Sequence, residues 1–332
     1  MSRIVIVGGG SAGIMAAARL RNELSMDEAQ ITILDKSDTH YYQPAFTLVA
    51  LGLDEPENCI RPMSQVVPAG VTFIHDEVAA VNPDSNNIET AGGRKLEYDY
   101  LILASGAKLM WDEVVGLKDN LGKNGVYTFY TLEGAKQLRK AIDEFEGGNF
   151  VVTQPPMPFK CPGAPIKLAF MVEDILRQKG IRNKSKVTLT TALPAVFSRE
   201  PYATKLNEIV HSKGIELVTG FNPGTIDGEN RIVKSWEGKE VPFDTMVSIP
   251  PHEGEPVHED SSYADASNFV KADKHKLITE AHDNIYAIGD CANFPTSKTG
   301  AGARKQAEVL AKNLVARIRG EEEKGHYTGH VI

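Results

Sequence analysis

Three cysteines, a glycine loop and a proline-rich loop carry most of the chemistry this chain can be expected to do. The cysteines are Cys59, Cys161 and Cys291, separated by 102 and 130 residues. An odd, sparse set argues against a disulfide framework, and the spacing fits no zinc motif, so no metal site is expected. Cys161 differs from the other two in its setting. It lies in Gln154-Pro155-Pro156-Met157-Pro158-Phe159-Lys160-Cys161-Pro162-Gly163-Ala164-Pro165, just before a helix expected over residues 166–179. A helix N-terminus stabilises thiolate and Lys160 adds positive charge, so Cys161 is the candidate reactive thiol.

The glycine loop is Gly8-Gly9-Gly10-Ser11-Ala12-Gly13, between an apolar run at residues 3–7 and an Ala- and Leu-rich segment over 14–24. A pyrophosphate needs this arrangement: Gly8 for the turn, Gly10 for close backbone approach, and Gly13 for packing of helix on sheet. Ser11 and Ala12 open the helix. Asp35 follows Gly13 by 22 residues, at the end of the next strand (30–35), where an acid can accept from an adenosine ribose. Lys36 adjoins it. Residues 1–35 thus read as a dinucleotide-binding βαβ unit.

These groups need an α/β scaffold to hold them. Residues 71–82 and 87–100 alternate apolar and polar positions around Gly92-Gly93 and read as antiparallel strands or a small meander. A buried strand follows, ending in Ala104-Ser105-Gly106. Strands at 149–153, 186–191 and 215–219, with helices at 166–179 and 202–213 between them, make a second βαβαβ unit. Its first strand runs into five prolines and one glycine instead of a second glycine loop. Proline lacks the N–H that a pyrophosphate requires, so this unit is expected to keep the fold and lose the nicotinamide nucleotide. Strands return at 230–249 and 284–288, and a helix closes the chain over 305–319.

Two segments point to FAD. Leu101 to Gly106 resembles the strand-to-turn segment of the flavoprotein disulfide reductases. Asn284-Ile285-Tyr286-Ala287-Ile288-Gly289-Asp290 resembles their second FAD fingerprint, whose aspartate meets the ribityl chain. The fold class expected is α/β with two Rossmann-like domains, the second with a degenerate nucleotide site. The FAD domain is discontinuous, 1–107 and 252–332, and the second domain, 108–251, carries the Cys161 loop.

Over nearly its whole length the chain resembles the sulfide:quinone oxidoreductases, with flavocytochrome c sulfide dehydrogenase flavoproteins as more distant kin. The resemblance rests on Tyr41-Tyr42-Gln43-Pro44-Ala45-Phe46, on Thr153 to Pro165, and on Gly289 to Ala301. It implies that Cys161 is one of two redox cysteines that take sulfide sulfur and pass electrons to FAD. It implies that Pro295 to Thr299 lies against the flavin, with Lys298 bringing positive charge to the ring's pyrimidine end. FAD contacts are thereby expected at Gln43, Pro44, Ala104, Ser105, Gly106, Gly289, Asp290, Pro295, Lys298 and Thr299, besides the glycine loop, Asp35 and Lys36. No cysteine in Gly125 to Tyr130 matches the family's covalent attachment point, so FAD is expected to be non-covalent. The electron acceptor implied is a quinone or a protein.

The family's second redox cysteine would follow Tyr327-Thr328-Gly329-His330-Val331-Ile332, where this sequence ends, and membrane-surface contact is expected only with a further C-terminal segment. Cys291 and Cys59 are the remaining candidates for a partner thiol. Glu173 reads as a residue of a solvated helix face, with a proton-handling group as the alternative, and His252 as either structural or lining the flavin or acceptor site. A net charge of −8 and a pI near 5.7 argue against nucleic acid. No apolar run of membrane-spanning length and no signal peptide is seen, so the cytoplasm, with peripheral contact at the inner face of the membrane, is the expected location, and a homo-oligomer the expected state. Two other readings stay open: an NAD(P)H-dependent flavin reductase, and a flavin electron-transfer or sulfur-carrier subunit working with a partner chain.

Overall fold

The computed structural model describes residues 1–331. In chain order, the first elements are β1 (Ser2–Val7), α1 (Ser11–Glu23), β2 (Ala29–Asp35), β3 (Thr72–His75) and β4 (Tyr100–Leu103). Then come β5 (Val126–Tyr127), α2 (Leu132–Glu144), β6 (Gly148–Thr153), α3 (Gly163–Gln178), β7 (Ser185–Thr190), α4 (Tyr202–Ser212) and β8 (Glu216–Val218). The last are β9 (Thr245–Ser248), β10 (Ile285–Ala287) and α5 (Gly300–Ile318). The chain packs as two compact units, Met1–Tyr42, Ile60–Lys108 and Glu253–Ile332 in one, Gln43–Cys59 and Leu109–His252 in the other. No helix among the described residues is long and apolar enough to cross a membrane.

The first unit holds a parallel sheet of order β10–β4–β1–β2–β3. Ile4, Val5, Ile6 and Val7 of β1 are all buried, as a strand covered on both faces requires. α1 buries Ala12, Gly13, Ala16, Ala17 and Leu20, a stripe of mostly small residues that lets the helix lie close to the sheet. The chain leaves β1 to β2 on one side and returns as β4 on the other. The strand order therefore reverses between β1 and β4, and a crevice opens at their carboxyl ends. Gly8 and Ala104 stand there.

One expectation needs correction. Thr72–His75 is not part of a meander but a parallel edge strand, with Thr72 beside Thr32 and His75 beside Asp35. Alternating apolar and polar residues suit a half-covered parallel edge as well as an antiparallel ribbon. The antiparallel part is confined to Val78–Asn82, Asn87–Thr90 and Lys95–Glu97, with Gly93 turning at φ +80°.

The second unit repeats the plan, with a parallel sheet of order β5–β9–β6–β7–β8. Here the order reverses between β6 and β9. The segment Gln43–Cys59, drawn with the FAD domain from sequence, packs in this unit. Phe46, Val49, Ala50 and Cys59 share an apolar core with Leu138 and Ile142 of α2, and Arg139 pairs with Glu55 at 3.0 Å.

Glu173 also departs from expectation. It is fully buried on α3, not solvated. Its carboxylate accepts from Arg182 at 3.0 Å and Lys213 at 2.9 Å, and pairs with Arg177 one turn on. Burial alone would raise its pKa, but Lys213, Arg182 and Arg177 together hold it below the usual carboxylate range. Glu173→Gln should lower unfolding free energy by about 3 kcal/mol, since it leaves a cluster of cations without their anion; urea denaturation measures this.

Candidate active site

In the first unit, four segments converge on the crevice. Gly8 takes φ +106°, and a Cβ there would lie 2.4 Å from the carbonyl oxygen of Ala104. A Cβ on Gly13 would lie 1.9 Å from the carbonyl oxygen of Gly8, whereas one on Gly10 would meet nothing within 4 Å. The loop is thus packed shut behind and open in front. α1 begins at Ser11 with no side-chain cap, so its first N–H groups point into that open space. Asp35 steadies the loop, its carboxylate accepting from the N–H of Gly9 at 2.6 Å and of Ser37 at 2.8 Å. Lys36 is exposed and lies 3.8 Å from Glu255.

The second fingerprint meets the first. Gly289 takes φ +74°, and its Cβ position lies 2.9 Å from the Cβ of Ala12. Its N–H donates to Oε1 of Gln306 on α5 at 2.7 Å, so Asp290 follows at the mouth of α1. Lys298 is buried. Its Nζ donates to the carbonyls of Asp290 and Ala292, both at 2.7 Å, and stands 4.0 Å from the centre of the Phe269 ring. Burial lowers its pKa, while the Asp290 carboxylate works the other way. Pro295 is exposed, and Thr299 caps α5 by accepting from Gly302 N at 3.0 Å.

Sequence reading missed His258. It is fully buried, its Nε2 2.9 Å from the hydroxyl of Ser105 and its Nδ1 3.5 Å from that of Tyr263, while Gly106 turns at φ +81°. No motif announces it, because a loop 153 residues away supplies it. Burial pushes its pKa down to about 4 from 6.5, so it is neutral in the fold. The neutral ring contributes roughly 3 kcal/mol, whole above about pH 6.5 and lost as pH falls toward 4. Denaturation midpoints taken between pH 7.5 and 4.5 should fall further for the native chain than for His258→Phe.

In the second unit, Cys161 is the exposed cysteine. It sits at φ +52°, a left-handed conformation that a non-glycine residue adopts at some cost. It precedes the N-cap Pro162, and its carbonyl accepts from Ala164 N at 2.9 Å, fastening it to the first turn of α3. α3 starts at Gly163, three residues before the expected 166. Tyr130 donates to the carbonyl of Lys160 at 2.7 Å, and Lys160 Nζ donates to Oε1 of Gln43 at 2.7 Å. Gln43 thus meets the Cys161 loop, and Pro44 is exposed beside it. His252 is buried against the Tyr130 ring, centroids 5.6 Å apart, with Nδ1 2.9 Å from the carbonyl of Pro250.

The other two thiols are sealed. Cys59 lies in the core of the second unit. Cys291 is fully buried in the first, 3.2 Å from the carbonyls of Leu103 and Ile288, and burial pushes its pKa up to about 11. Neither presents a thiolate to solvent.

The chain matches the pyridine nucleotide-disulphide oxidoreductase family over residues 2–153 and the central part of the sulfide dehydrogenase (flavocytochrome c) flavoprotein chain over 135–250. It is 33% identical over 335 residues to the mitochondrial sulfide:quinone oxidoreductase of Dictyostelium discoideum, covering 99% of this chain and 74% of that one. The chain belongs to the sulfide:quinone oxidoreductase family. The Mus musculus enzyme is 31% identical, covering 98% of this chain and 74% of that one. The crystal structure of the family member from Aquifex aeolicus superposes with a TM-score of 0.84 at 26% identity, over 96% of this chain and 78% of that one. A type II NADH:quinone oxidoreductase of Staphylococcus saprophyticus is 24% identical over 96% of this chain and 83% of its own length.

As a member of the sulfide:quinone oxidoreductase family, the chain is an FAD-dependent oxidoreductase. The first unit fits that cofactor. Gly10 leaves room for a pyrophosphate, α1 offers unengaged N–H groups, and Gly8, Gly13 and Gly289 stand where a side chain would collide.

Proposed function

We propose that this chain oxidises sulfide at Cys161 and delivers the electrons through FAD to a quinone. The observation that carries the reading is that the one exposed thiol among the described residues heads α3 in a left-handed turn beside Lys160. The glycine loop would hold the pyrophosphate, Asp35 with Lys36 the adenosine end, and Ala104, Ser105, Gly106 and Asp290 the ribityl side. Lys298, Thr299 and Pro295 would border the ring, with Lys298 supplying positive charge. When bound, FAD supplies a two-electron acceptor.

In the step proposed, Sγ of Cys161 bonds the sulfur of hydrosulfide. The S–H proton leaves to solvent and two electrons leave for the acceptor, so a persulfide replaces the thiolate. Lys160, held by Gln43, keeps a positive charge near the thiolate, and Tyr130 holds the loop through the Lys160 carbonyl. The proline-rich loop withholds the backbone donors that a nicotinamide nucleotide would need. FAD is held without a covalent bond. Peptide mass spectrometry after anaerobic treatment with sulfide tests the step. One added sulfur on the peptide carrying Cys161 is the expected result, and its appearance on the Cys59 or Cys291 peptide instead would overturn the assignment.

A further inference from the structure

Ser105 is the hydroxyl that the end of β4 delivers to the crevice. Its Cα lies 3.0 Å from the Cβ position of Gly8, so it abuts the glycine loop. Gly106 turns the chain away at φ +81°, and the Ser105 side chain stays half-buried. A serine hydroxyl rotates, and it can donate or accept. What Ser105 offers a cofactor is therefore decided by its other partner.

That partner is His258. The ring is fully buried, with Nε2 2.9 Å from Ser105 Oγ. The short turn Pro256–His258 holds it there: His258 N donates to the carbonyl of Glu255 at 3.0 Å, and Ser261 Oγ donates to the carbonyl of His258 at 2.7 Å. Behind the ring, Nδ1 stands 3.5 Å from the Tyr263 hydroxyl, and the two rings meet edge to face with centroids 5.8 Å apart. Burial keeps the imidazole neutral, so it carries one N–H and one bare nitrogen. Tyr263 is buried as well, and burial pushes its pKa up to about 12. Its hydroxyl keeps the proton and needs an acceptor inside the fold, which Nδ1 supplies. With Nδ1 accepting, the ring proton sits on Nε2 and is donated to Ser105 Oγ. The proton of Ser105 itself then turns toward the crevice.

We infer that His258 is a positioning residue for FAD: donating to Ser105 from Nε2, it makes the serine a hydrogen-bond donor to an oxygen of the cofactor. Phosphate oxygens accept and cannot donate, so a serine held as an acceptor would meet them lone pair to lone pair. Held as a donor, it adds a bond on the β4 side of the cradle, opposite the N–H groups of α1. This role rests on the placement of Ser105 beside FAD proposed above and is independent of the sulfide chemistry.

Two measurements test it. FAD release from diluted holoenzyme, read by the fluorescence of free flavin, gives the dissociation constant for the native protein, Ser105→Ala, His258→Phe, the double variant and His258→Gln. Ser105→Ala and His258→Phe should each raise it about tenfold. The double variant should bind FAD no more weakly than Ser105→Ala, because His258 acts through that hydroxyl. His258→Gln, whose amide N–H can stand in for Nε2–H, should stay within about threefold of native. A full additional loss when His258→Phe is added to Ser105→Ala would make His258 a packing residue and overturn the role. Nitrogen NMR of the native protein, isotope-labelled at its histidine rings, should find the His258 proton on Nε2 at neutral pH. A proton on Nδ1 would overturn the role even if His258→Phe does not fold. Native FAD affinity in Ser105→Ala would remove Ser105 from the cradle, and this role with it, while leaving the Cys161 assignment standing.

Discussion

Cys161→Ser is expected to keep its FAD and its yellow colour while losing reduction by sulfide, at least about a thousandfold in rate. The reason is steric as much as chemical. Serine fits the left-handed turn no worse than cysteine, and the carbonyl bond to Ala164 N does not involve the side chain. The fold should therefore be undisturbed, and the loss should fall on the chemical step. Substituting Cys59 or Cys291 should leave sulfide reduction within a few-fold of native. Both are sealed in apolar cores, and Cys291 holds its proton up to about pH 11. The measurement is single-turnover flavin bleaching under anaerobic conditions.

The second large effect lies at Gly13. An added methyl would sit 1.9 Å from the carbonyl oxygen of Gly8 and 3.3 Å from the side chain of Ile6. The nearest neighbour is backbone and cannot swing aside, so α1 must move off β1 or the loop must open. Either change spoils the pyrophosphate cradle. Overpacking of this kind costs about 1–3 kcal/mol, and Gly13→Ala should weaken FAD binding by about a hundredfold or emerge without flavin. Gly10→Ala makes the informative comparison. Its methyl meets nothing within 4 Å, so the protein should fold normally while the methyl occupies space needed by the phosphates.

Much of this was legible in the sequence because backbone geometry demands glycine. Gly8, Gly13 and Gly289 stand where a Cβ would strike a neighbour, and that constraint is written in residue type. The Cys161 loop was legible for the complementary reason: its prolines remove the N–H donors that would mark a nucleotide site. Glu173 and His258 were not legible. Each is a polar residue made tolerable in the interior by a partner distant in sequence: Lys213 for Glu173, Ser105 for His258. Local pattern reads such residues as solvated or leaves them unassigned. Gln43–Cys59 was assigned to the wrong side of the division because its five-residue helix, Phe46–Ala50, is too short to show which core it enters.

The relation to type II NADH:quinone oxidoreductases leaves one decisive contrast, which of two reductants the flavin accepts. Purified native protein should be titrated anaerobically with sulfide in one cuvette and NADH in another, following the flavin's visible band. Bleaching by sulfide and not by NADH, with the sulfide response lost in Cys161→Ser, is the expected result. Bleaching by NADH, or by sulfide equally well in Cys161→Ser, would contradict the assignment of Cys161 as the point where electrons enter.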